Sequence, residues 1–268
     1  MSNTLMPVVF VPHGGGPMPL LGDVSHRELT AFMQNLAQDL PTPKAILVIS
    51  AHWEEPLAHV SSAPNPAMMF DYYGFPPESY EFRYPAPGQP QLAEDIAQLL
   101  HSNNIPVILD NQRGYDHGTF VPLLLSYPRA DIPVVQLSLL ASLDPAAHIA
   151  LGNAIAPLRE QGVLIIGSGM SFHNMRAFFS PSPAVRTKSD NFDQWLIETL
   201  TSDALDYSQR AGRLAHWTNA PEARFCHPRE EHLLPLHVCF GAAKASVVAQ
   251  HNFGGYLLGT RVSGFLWQ

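Results

Sequence analysis

Histidines follow three apolar runs that are typical of buried strands. The runs "VVFVPH", "ILVISAH" and "VLIIGSGMSFH" end at His13, His52 and His173. Ligands in open α/β sheets bind beyond the carboxyl ends of the strands, so these side chains can meet in space although they are distant in sequence. Imidazole is a ligand of several transition metals, and histidine also transfers protons near neutral pH. The pattern predicts a metal site built from separate loops, with spare histidines for proton transfer.

Two further histidines lie where they could join that site. His117 stands in "RGYDHGTF", a polar turn after a short strand, where Asp116 or Arg113 could orient it or bind a substrate anion. His232 stands in "CHPREEHLLPLHVC" near the start of a helix, five residues from the next histidine on either side. That spacing turns successive side chains to different sides of a helix, so only His232 of the three is expected in the site. The nearby cysteines lack the paired spacing of a zinc knuckle.

The elements that must position these histidines alternate between strand and helix. Short runs rich in Val and Ile predict strands at residues 8–11, 45–50, 107–110, 132–137 and 163–167. Apolar residues at helical spacing predict helices at residues 27–40, 91–101 and 145–161. Such alternation is typical of βαβ units. We expect one α/β domain over residues 1–268, with a central mixed, largely parallel sheet flanked by helices.

The C-terminal third is predicted to be more helical and to close with an antiparallel hairpin. Helices are expected from residue 190 to about 215 and over 232–244, and the hairpin strands over 246–250 and 256–267, separated by "HNFGG". Residues 61–88 have no sustained period and are rich in aromatics and proline, which favours a functional wall or lid. Tyr72, Tyr73, Phe75 and Tyr80 could stack on an aromatic ring there or simply pack the loop.

Composition narrows the class of protein. A formal charge of −8 disfavours a nucleic-acid or anionic-membrane partner, and two cysteines make no disulfide framework. No secretory signal or membrane span is visible, so a cytoplasmic protein, monomeric or homodimeric, is expected. Six histidines on polar or terminal positions are expected at the surface: His26, His59, His101, His148, His216 and His251.

Other catalytic motifs fit poorly. The triple glycine after His13 lacks the Lys-Ser/Thr of a P-loop and the spacing of a dinucleotide-binding turn. The stretch "GSGMS" does not fit the nucleophile elbow G-x-S-x-G, and no H-E-x-x-H is present. These glycines are expected either to bring backbone amides close to substrate or to form a sharp turn with φ > 0.

Five motifs, taken in order, resemble a known family. "PHGGGPM", "SAHWE", "YDHGTF", "SGMSFHN" and "REEHLLPL" resemble the LigB-like, class III extradiol ring-cleaving dioxygenases, most closely the DOPA 4,5-dioxygenase type. Together with "GFPPESYEFRYPAPG" and "ADIPVVQLSL", the resemblance covers nearly the whole chain. Each motif is weak alone, but their order and spacing are specific.

The resemblance implies a role for each of the five histidines. His13, His52 and His232 would hold a non-haem metal, His173 beside it would act as acid/base or as a fourth ligand, and His117 would be a second group handling protons or oxygen. Some superfamily members use a glutamate as third ligand, and Glu231 adjoins His232, so a carboxylate ligand stays an alternative.

The implied reaction opens a catecholic ring such as that of DOPA or caffeate with O2. Three protein ligands leave positions for catechol and O2, as in other non-haem Fe(II) oxygenases. We expect Fe(II) for activity and zinc in purified protein, because zinc binds three imidazoles well but has no redox step. Two alternatives stay open: a zinc hydrolase or lyase using the same histidines, and a non-catalytic binding protein on this fold.

Overall fold

Eight strands build the centre of the molecule. The computed structural model describes residues 5–243 and 248–268. In those ranges the strands are β1 (Val8–Pro12), β2 (Ala45–Glu55), β3 (Ala58–Ser61), β4 (Val107–Asp110), β5 (Val134–Leu140), β6 (Val163–Gly169), β7 (Gln250–Leu257) and β8 (Thr260–Trp267). They form one sheet in the order β4-β3-β5-β2-β6-β1-β8-β7.

The sheet is mixed and mostly parallel, which confirms the predicted fold class. The neighbours β5, β2, β6 and β1 run parallel to one another, as do β3 and β4. The contacts of β3 with β5, of β1 with β8 and of β8 with β7 are antiparallel. The assignment of residues 1–268 to a single domain stays a prediction.

Helices cover the sheet. In the described residues they are α1 (Arg27–Leu36), α2 (Pro90–Ser102), α3 (His117–Ser126), α4 (Pro145–Ile155), α5 (Met175–Phe178), α6 (Pro183–Thr201), α7 (Tyr207–Ala215), α8 (Ala223–Cys226) and α9 (Leu234–Ala242). Burial on both faces explains why β1 is uniformly apolar: Val8 and Phe10 join one core cluster, while Val9 and Val11 join the other.

The carboxyl ends of three adjacent parallel strands meet at one edge of the sheet. β1 ends at Pro12, directly before His13, and Pro12 pairs with Gly169 at the end of β6. On the other side of β6, Ser50 of β2 pairs with Ser168. The predicted convergence of histidine-bearing strand ends is therefore present in the fold.

One detail at this edge differs from expectation. The strand predicted to end at His52 continues to Glu55, and its register with β5 shifts between Ile49 and Glu54. His52 lies within this irregular stretch, where β2 has more residues than the paired stretch of β5. His52 therefore reaches this edge from an irregular stretch within β2, whereas His13 reaches it from the end of β1.

Several predicted helix bounds were wrong for local reasons. The helix predicted over 27–40 ends at Leu36, after which Gln38 and Asp39 make i→i+3 bonds. The helix predicted over 145–161 is α-helical only to Ile155, because Pro157 has no amide hydrogen, and it continues as 3₁₀ turns. The region from 190 to 215 divides into α6 and α7, and Asp206 begins α7 with a capping box.

The C-terminal hairpin exists, but its turn lies elsewhere. Residues 251–255, the "HNFGG" predicted as the turn, belong to β7, and the chain reverses at Leu258 and Gly259, which have φ of 50° and 84°. Residues 246 and 247 of the predicted first strand, and residue 244 of the predicted helix over 232–244, lie outside the described residues.

The long segment predicted over 61–88 is largely irregular, as expected. Beyond Ser61, the last residue of β3, its regular structure is a 3₁₀ turn at Pro77–Tyr80 and a bridge from Met68 to Tyr115. Over residues 5–243 and 248–268, no helix is long and apolar enough to cross a membrane.

Candidate metal centre

His13 is fixed as a neutral imidazole with one nitrogen free. Its Nδ1 lies 3.1 Å from Ser168 Oγ, and that hydroxyl donates its only hydrogen to the carbonyl of Gly118. His13 Nδ1 must therefore be the donor to Ser168, which leaves Nε2 as a lone pair. The ring is buried at the carboxyl end of β1.

The Nε2 of His52 faces the free Nε2 of His13. The Nε2 atoms of His52 and His13 are 3.1 Å apart, while His52 Nδ1 lies 3.8 Å from the carboxylate Oδ2 of Asp71. A proton on Nδ1 is favoured by that carboxylate, so two lone pairs face one another. Two nitrogens that each bind one ion at about 2.1 Å, at right angles, are about 3 Å apart. The spacing fits a shared cation.

His232 completes a group of three. Its Nδ1 donates to Glu231 Oε1 at 2.9 Å, which leaves Nε2 as the free nitrogen. The ring centre lies 5.2 Å from that of His13 and 4.9 Å from that of His52. One ligand atom from each of these residues lies within 4.8 Å of the other two.

His117 adjoins the group and is oriented by Asp71. Its Nδ1 and its backbone N–H both donate to Asp71 Oδ1, at 2.8 and 3.0 Å. Its ring centre is 3.9 Å from that of His52. Asp116, expected as a possible partner of His117, instead caps α3 and pairs with Arg113 at 2.5 Å. His117 itself is the first residue of α3 rather than part of a free turn.

His173 stacks on His232. The two rings are 3.4 Å apart at an angle of 13°, and His173 Nδ1 lies 3.4 Å from Glu231 Oε1. Glu231 thus contacts both rings through one oxygen, and its other oxygen lies 3.3 Å from Arg229. All five histidines predicted for the site are therefore brought together.

Two carboxylates each contact two of the five histidines, and His13 contacts Ser168 instead. Asp71 lies between His52 and His117, and Glu231 lies between His232 and His173. Both of these carboxylate groups also have the spacing of a metal site. In each, however, the carboxylate already accepts a hydrogen bond from an imidazole Nδ1, as a residue behind a metal ligand does.

Burial keeps the three central rings neutral. Desolvation, followed by the neighbouring histidines, lowers the pKa of His13 and of His52 well below 6.5. Desolvation and the nearby His173 lower the pKa of His232 to about 4. Burial would raise the pKa of Glu231, but hydrogen bonds from His173 and His232 outweigh it and hold the carboxyl ionised. Neutral imidazole is the form that binds metals.

Sequence reasoning missed three residues of this centre. Asp71 and Ser168 orient ligand-type histidines, yet a lone aspartate in an aromatic loop and a serine in a strand carry no distinctive signal. His26 was expected at the surface, and that was wrong: it is buried, its Nδ1 lies 2.7 Å from Asp23, and its Nε2 accepts the N–H of Gly15. It thereby holds the glycine turn, in which Gly14 and Gly16 have positive φ.

The remaining histidines do not join the cluster. His148 was also expected at the surface but is buried, as are His227 and His237, and all three contact backbone groups. His101, His216 and His251 are exposed and His59 is half-buried. Cys226 and Cys239 are buried free thiols.

A cavity of about 400 Å³ opens onto the five histidines. Tyr72 and Phe75 line it, as expected of stacking walls. Tyr73 is 92% exposed. Tyr80 packs against Phe70 and Tyr72 and is not among the residues that line this cavity.

Comparison with known proteins agrees with this geometry. Residues 7–265 match the family described as the catalytic LigB subunit of aromatic ring-opening dioxygenase. A 4,5-DOPA dioxygenase extradiol of Beta vulgaris is 39% identical, with 94% of this chain and 92% of that protein covered. Dioxygenase tasH of Hapsidospora irregularis is 37% identical, with coverage of 98% and 86%.

A solved structure shares the fold. The crystal structure of an uncharacterized protein from Escherichia coli K12 matches with a TM-score of 0.80 and 31% identity, over 97% of this chain and 99% of that one. The chain belongs to the LigB family of aromatic ring-opening dioxygenases. It is an extradiol dioxygenase of the metal-dependent kind, with a histidine cluster able to bind a metal.

Proposed function

We propose that His13, His52 and His232 hold one Fe(II) ion, at which a catechol ring is opened with O2. The observation that carries this proposal is the facing pair of Nε2 lone pairs of His13 and His52, 3.1 Å apart, with His232 beside them. Each of the three rings has its Nδ1 turned to an oxygen, which is how metal-binding imidazoles are usually oriented.

Iron is proposed over zinc because of the reaction. When bound, Fe(II) supplies a place for catechol and O2 together and a change of oxidation state, which zinc lacks. Three neutral imidazoles also suit zinc, so we expect purified protein to carry zinc in the same three-histidine site and to need iron for activity. Glu231 is proposed to orient His232 rather than to bind the ion.

His173 is proposed to move the protons of the reaction. Its Nδ1 faces Glu231, so its Nε2 is available to accept a catechol hydroxyl proton and return it when the oxygen–oxygen bond breaks. The same ring, stacked on His232, is the candidate for a fourth ligand. His117, whose Nδ1 donates to Asp71, offers a second Nε2 that can hold a proton.

The walls of the cavity orient the ring and exclude water. Tyr72 and Phe75 stand near His117 and the glycine turn, where a flat aromatic substrate can pack against them. Relatives named 4,5-DOPA dioxygenase extradiol direct the proposal to a catechol, of which DOPA and caffeate are examples. Both atoms of O2 enter the product, a muconic semialdehyde.

Three further properties stay proposals from the sequence. The chain is expected to work in the cytoplasm, as a monomer or homodimer, and without a nucleic-acid partner. Its net charge of −8 supports the last of these.

The test loads metal-free protein with Fe(II) under anaerobic conditions and then adds a catechol and air. We expect one O2 consumed per catechol, measured with an oxygen electrode, together with a yellow ring-opened product. Zinc-loaded protein should consume none. Zinc-dependent hydrolysis of an ester or amide, with no O2 uptake by the iron-loaded protein, would contradict the proposal.

A further inference from the structure

The cavity in front of the histidines has apolar walls. Beyond the histidines and the glycine turn, its lining includes Met18, Phe75, Met175, Phe178, Phe179 and Leu258. Its mouth is apolar as well, since Met175 is 51% and Phe179 79% exposed. These side chains surround the space in front of the histidines that is open to the substituent of a bound catechol.

None of the described residues that line this cavity is Lys, Arg, Asp or Glu. The carboxylates nearest the site, Asp71 and Glu231, accept hydrogen bonds from imidazole rings, so they are committed to the histidines. The hydroxyl of Tyr72 donates to the carbonyl of Ser79. A carboxylate or ammonium group placed among these walls loses water without gaining a charged partner, which is costly.

Two arginines lie in an adjoining groove, which shares His173 and Met175 with the cavity. Arg176 and Arg229 line it, together with Glu231, beyond His173 and Met175. Arg229 contacts both oxygens of Glu54 at 2.5 Å and Glu231 at 3.3 Å, so its charge is already balanced. Arg176 is exposed to solvent. An anionic substituent that stays inside the cavity therefore meets no Lys or Arg side chain there.

The size of the cavity leaves room for such a substituent. Its volume of about 400 Å³ lies within the ~300–1,000 Å³ typical of small-molecule sites. A bare catechol would leave much of the apolar wall in contact with water. Burying an apolar substituent against that wall is favourable in proportion to the area covered.

We infer that the preferred substrates are catechols with an uncharged, apolar ring substituent, rather than amino-acid or carboxylate catechols such as DOPA. This inference rests on the proposed ring-opening function. It assigns specificity to the apolar wall formed by Met18, Phe75, Met175, Phe178 and Leu258. The charged catechols are expected to be cleaved, but slowly.

The first test compares a carboxylate catechol with its uncharged methyl ester. Iron-loaded protein is given dihydroxyphenylpropanoate or its methyl ester, with DOPA as a third substrate. We expect kcat/KM for the ester to exceed that for the acid and for DOPA by about tenfold or more, since an unpaired buried charge is strongly disfavoured. Equal values, or a preference for the acid or for DOPA, would overturn the inference.

A second test measures binding without turnover. The same compounds are titrated calorimetrically into zinc-loaded protein, where no ring opening occurs. The ester should bind about tenfold more tightly than the acid, and equal or tighter binding of the acid would overturn the inference. If the iron-loaded protein opens none of the catechols, the proposed function fails, while this titration still decides the preference of the cavity.

A variant at the mouth gives the sharpest contrast. Met175→Arg places a cation at a half-exposed position of the wall, where the side chain can keep its charge in water. We expect it to raise kcat/KM for the acid relative to the ester about tenfold, whereas Met175→Gln, of similar length and uncharged, should not. The inference is wrong if the original protein prefers anionic catechols and Arg176→Ala abolishes that preference. In that case the substituent binds in the groove rather than in the cavity.

Discussion

Two sets of buried histidines occupy this molecule, and they differ in what their nitrogens contact. In the candidate centre, His13 and His232 direct Nδ1 to a side-chain oxygen and keep Nε2 free. In the packing set, defined as His148, His227 and His237, the rings contact backbone groups. His148 donates to the carbonyl of Asp144 and accepts the N–H of Leu140, so both of its nitrogens are used.

Burial and a lowered pKa do not separate the two sets. Desolvation lowers the pKa of His237 to about 4 and that of His227 to about 3, as it lowers the pKa of His232 to about 4. The difference is that the site histidines turn free nitrogens toward one another, whereas the packing histidines direct ring nitrogens to backbone groups. Convergence of free nitrogens, rather than burial, marks the metal-binding set.

The largest expected effect is the loss of metal from the converging set. His13→Ala removes one of the two facing Nε2 atoms, so we expect the bound metal measured by plasma mass spectrometry to fall to near zero. Activity should fall more than 100-fold, beyond the ~10–100-fold typical of residues behind a ligand. His148→Asn is the control from the packing set. Retention of metal by the His13 variant at the original level would contradict the assignment.

His173→Ala tests the division of roles within the centre. We expect kcat to fall about 10²–10⁴-fold, the usual contribution of a positioned acid/base, while the metal content stays unchanged. Steady-state kinetics and metal analysis of the same preparation separate the two effects. Loss of the metal would instead make His173 a ligand.

Glu231→Gln and Asp71→Asn test the two orienting carboxylates. Each keeps the shape of its side chain and removes the charge that holds an imidazole Nδ1. We expect metal affinity to fall about 10–100-fold in each, measured by competition with a chelator. If Glu231→Gln abolishes binding while Asp71→Asn leaves it intact, Glu231 is itself a ligand, the alternative that the sequence left open.

The smallest effect on chemistry is expected in the packing set. His148→Leu leaves the buried N–H of Leu140 without its acceptor, so the free energy of unfolding should fall by about 1–3 kcal/mol. Denaturant unfolding measures this loss, and metal content and kcat should stay within twofold of the original. A loss of activity without a loss of stability would contradict the assignment of His148 to the packing set.

The part of the site that could be predicted from the sequence is the part in which histidines follow strand ends. His13 follows β1 directly, and β1 lies beside β6 in the sheet, so pattern and topology together bring His13 near Ser168 and His173. His52 lies beside His13 although β2 runs past it, at the stretch where the register between β2 and β5 shifts. The convergence of His13, His52 and His173 followed from the general rule about carboxyl ends, whereas His232 was expected there from its place near a helix start.

What could not be predicted depends on long-range contacts. Asp71 lies 46 residues from His117 in the chain, and no local pattern connects them. His26 and His148 were expected at the surface, yet tertiary packing buries both. The turn of the hairpin was misplaced because glycines at 254 and 255 suggest a reversal, whereas the positive-φ pair is Leu258 and Gly259.

The most direct test of the central claim is an anomalous-difference map from crystals of the metal-loaded protein. We predict one ion at about 2.0–2.2 Å from the Nε2 atoms of His13, His52 and His232, with no ion at His148, His227 or His237. An ion bound through Asp71 or Glu231 in place of any of these three nitrogens, or one seated in the packing set, would contradict it.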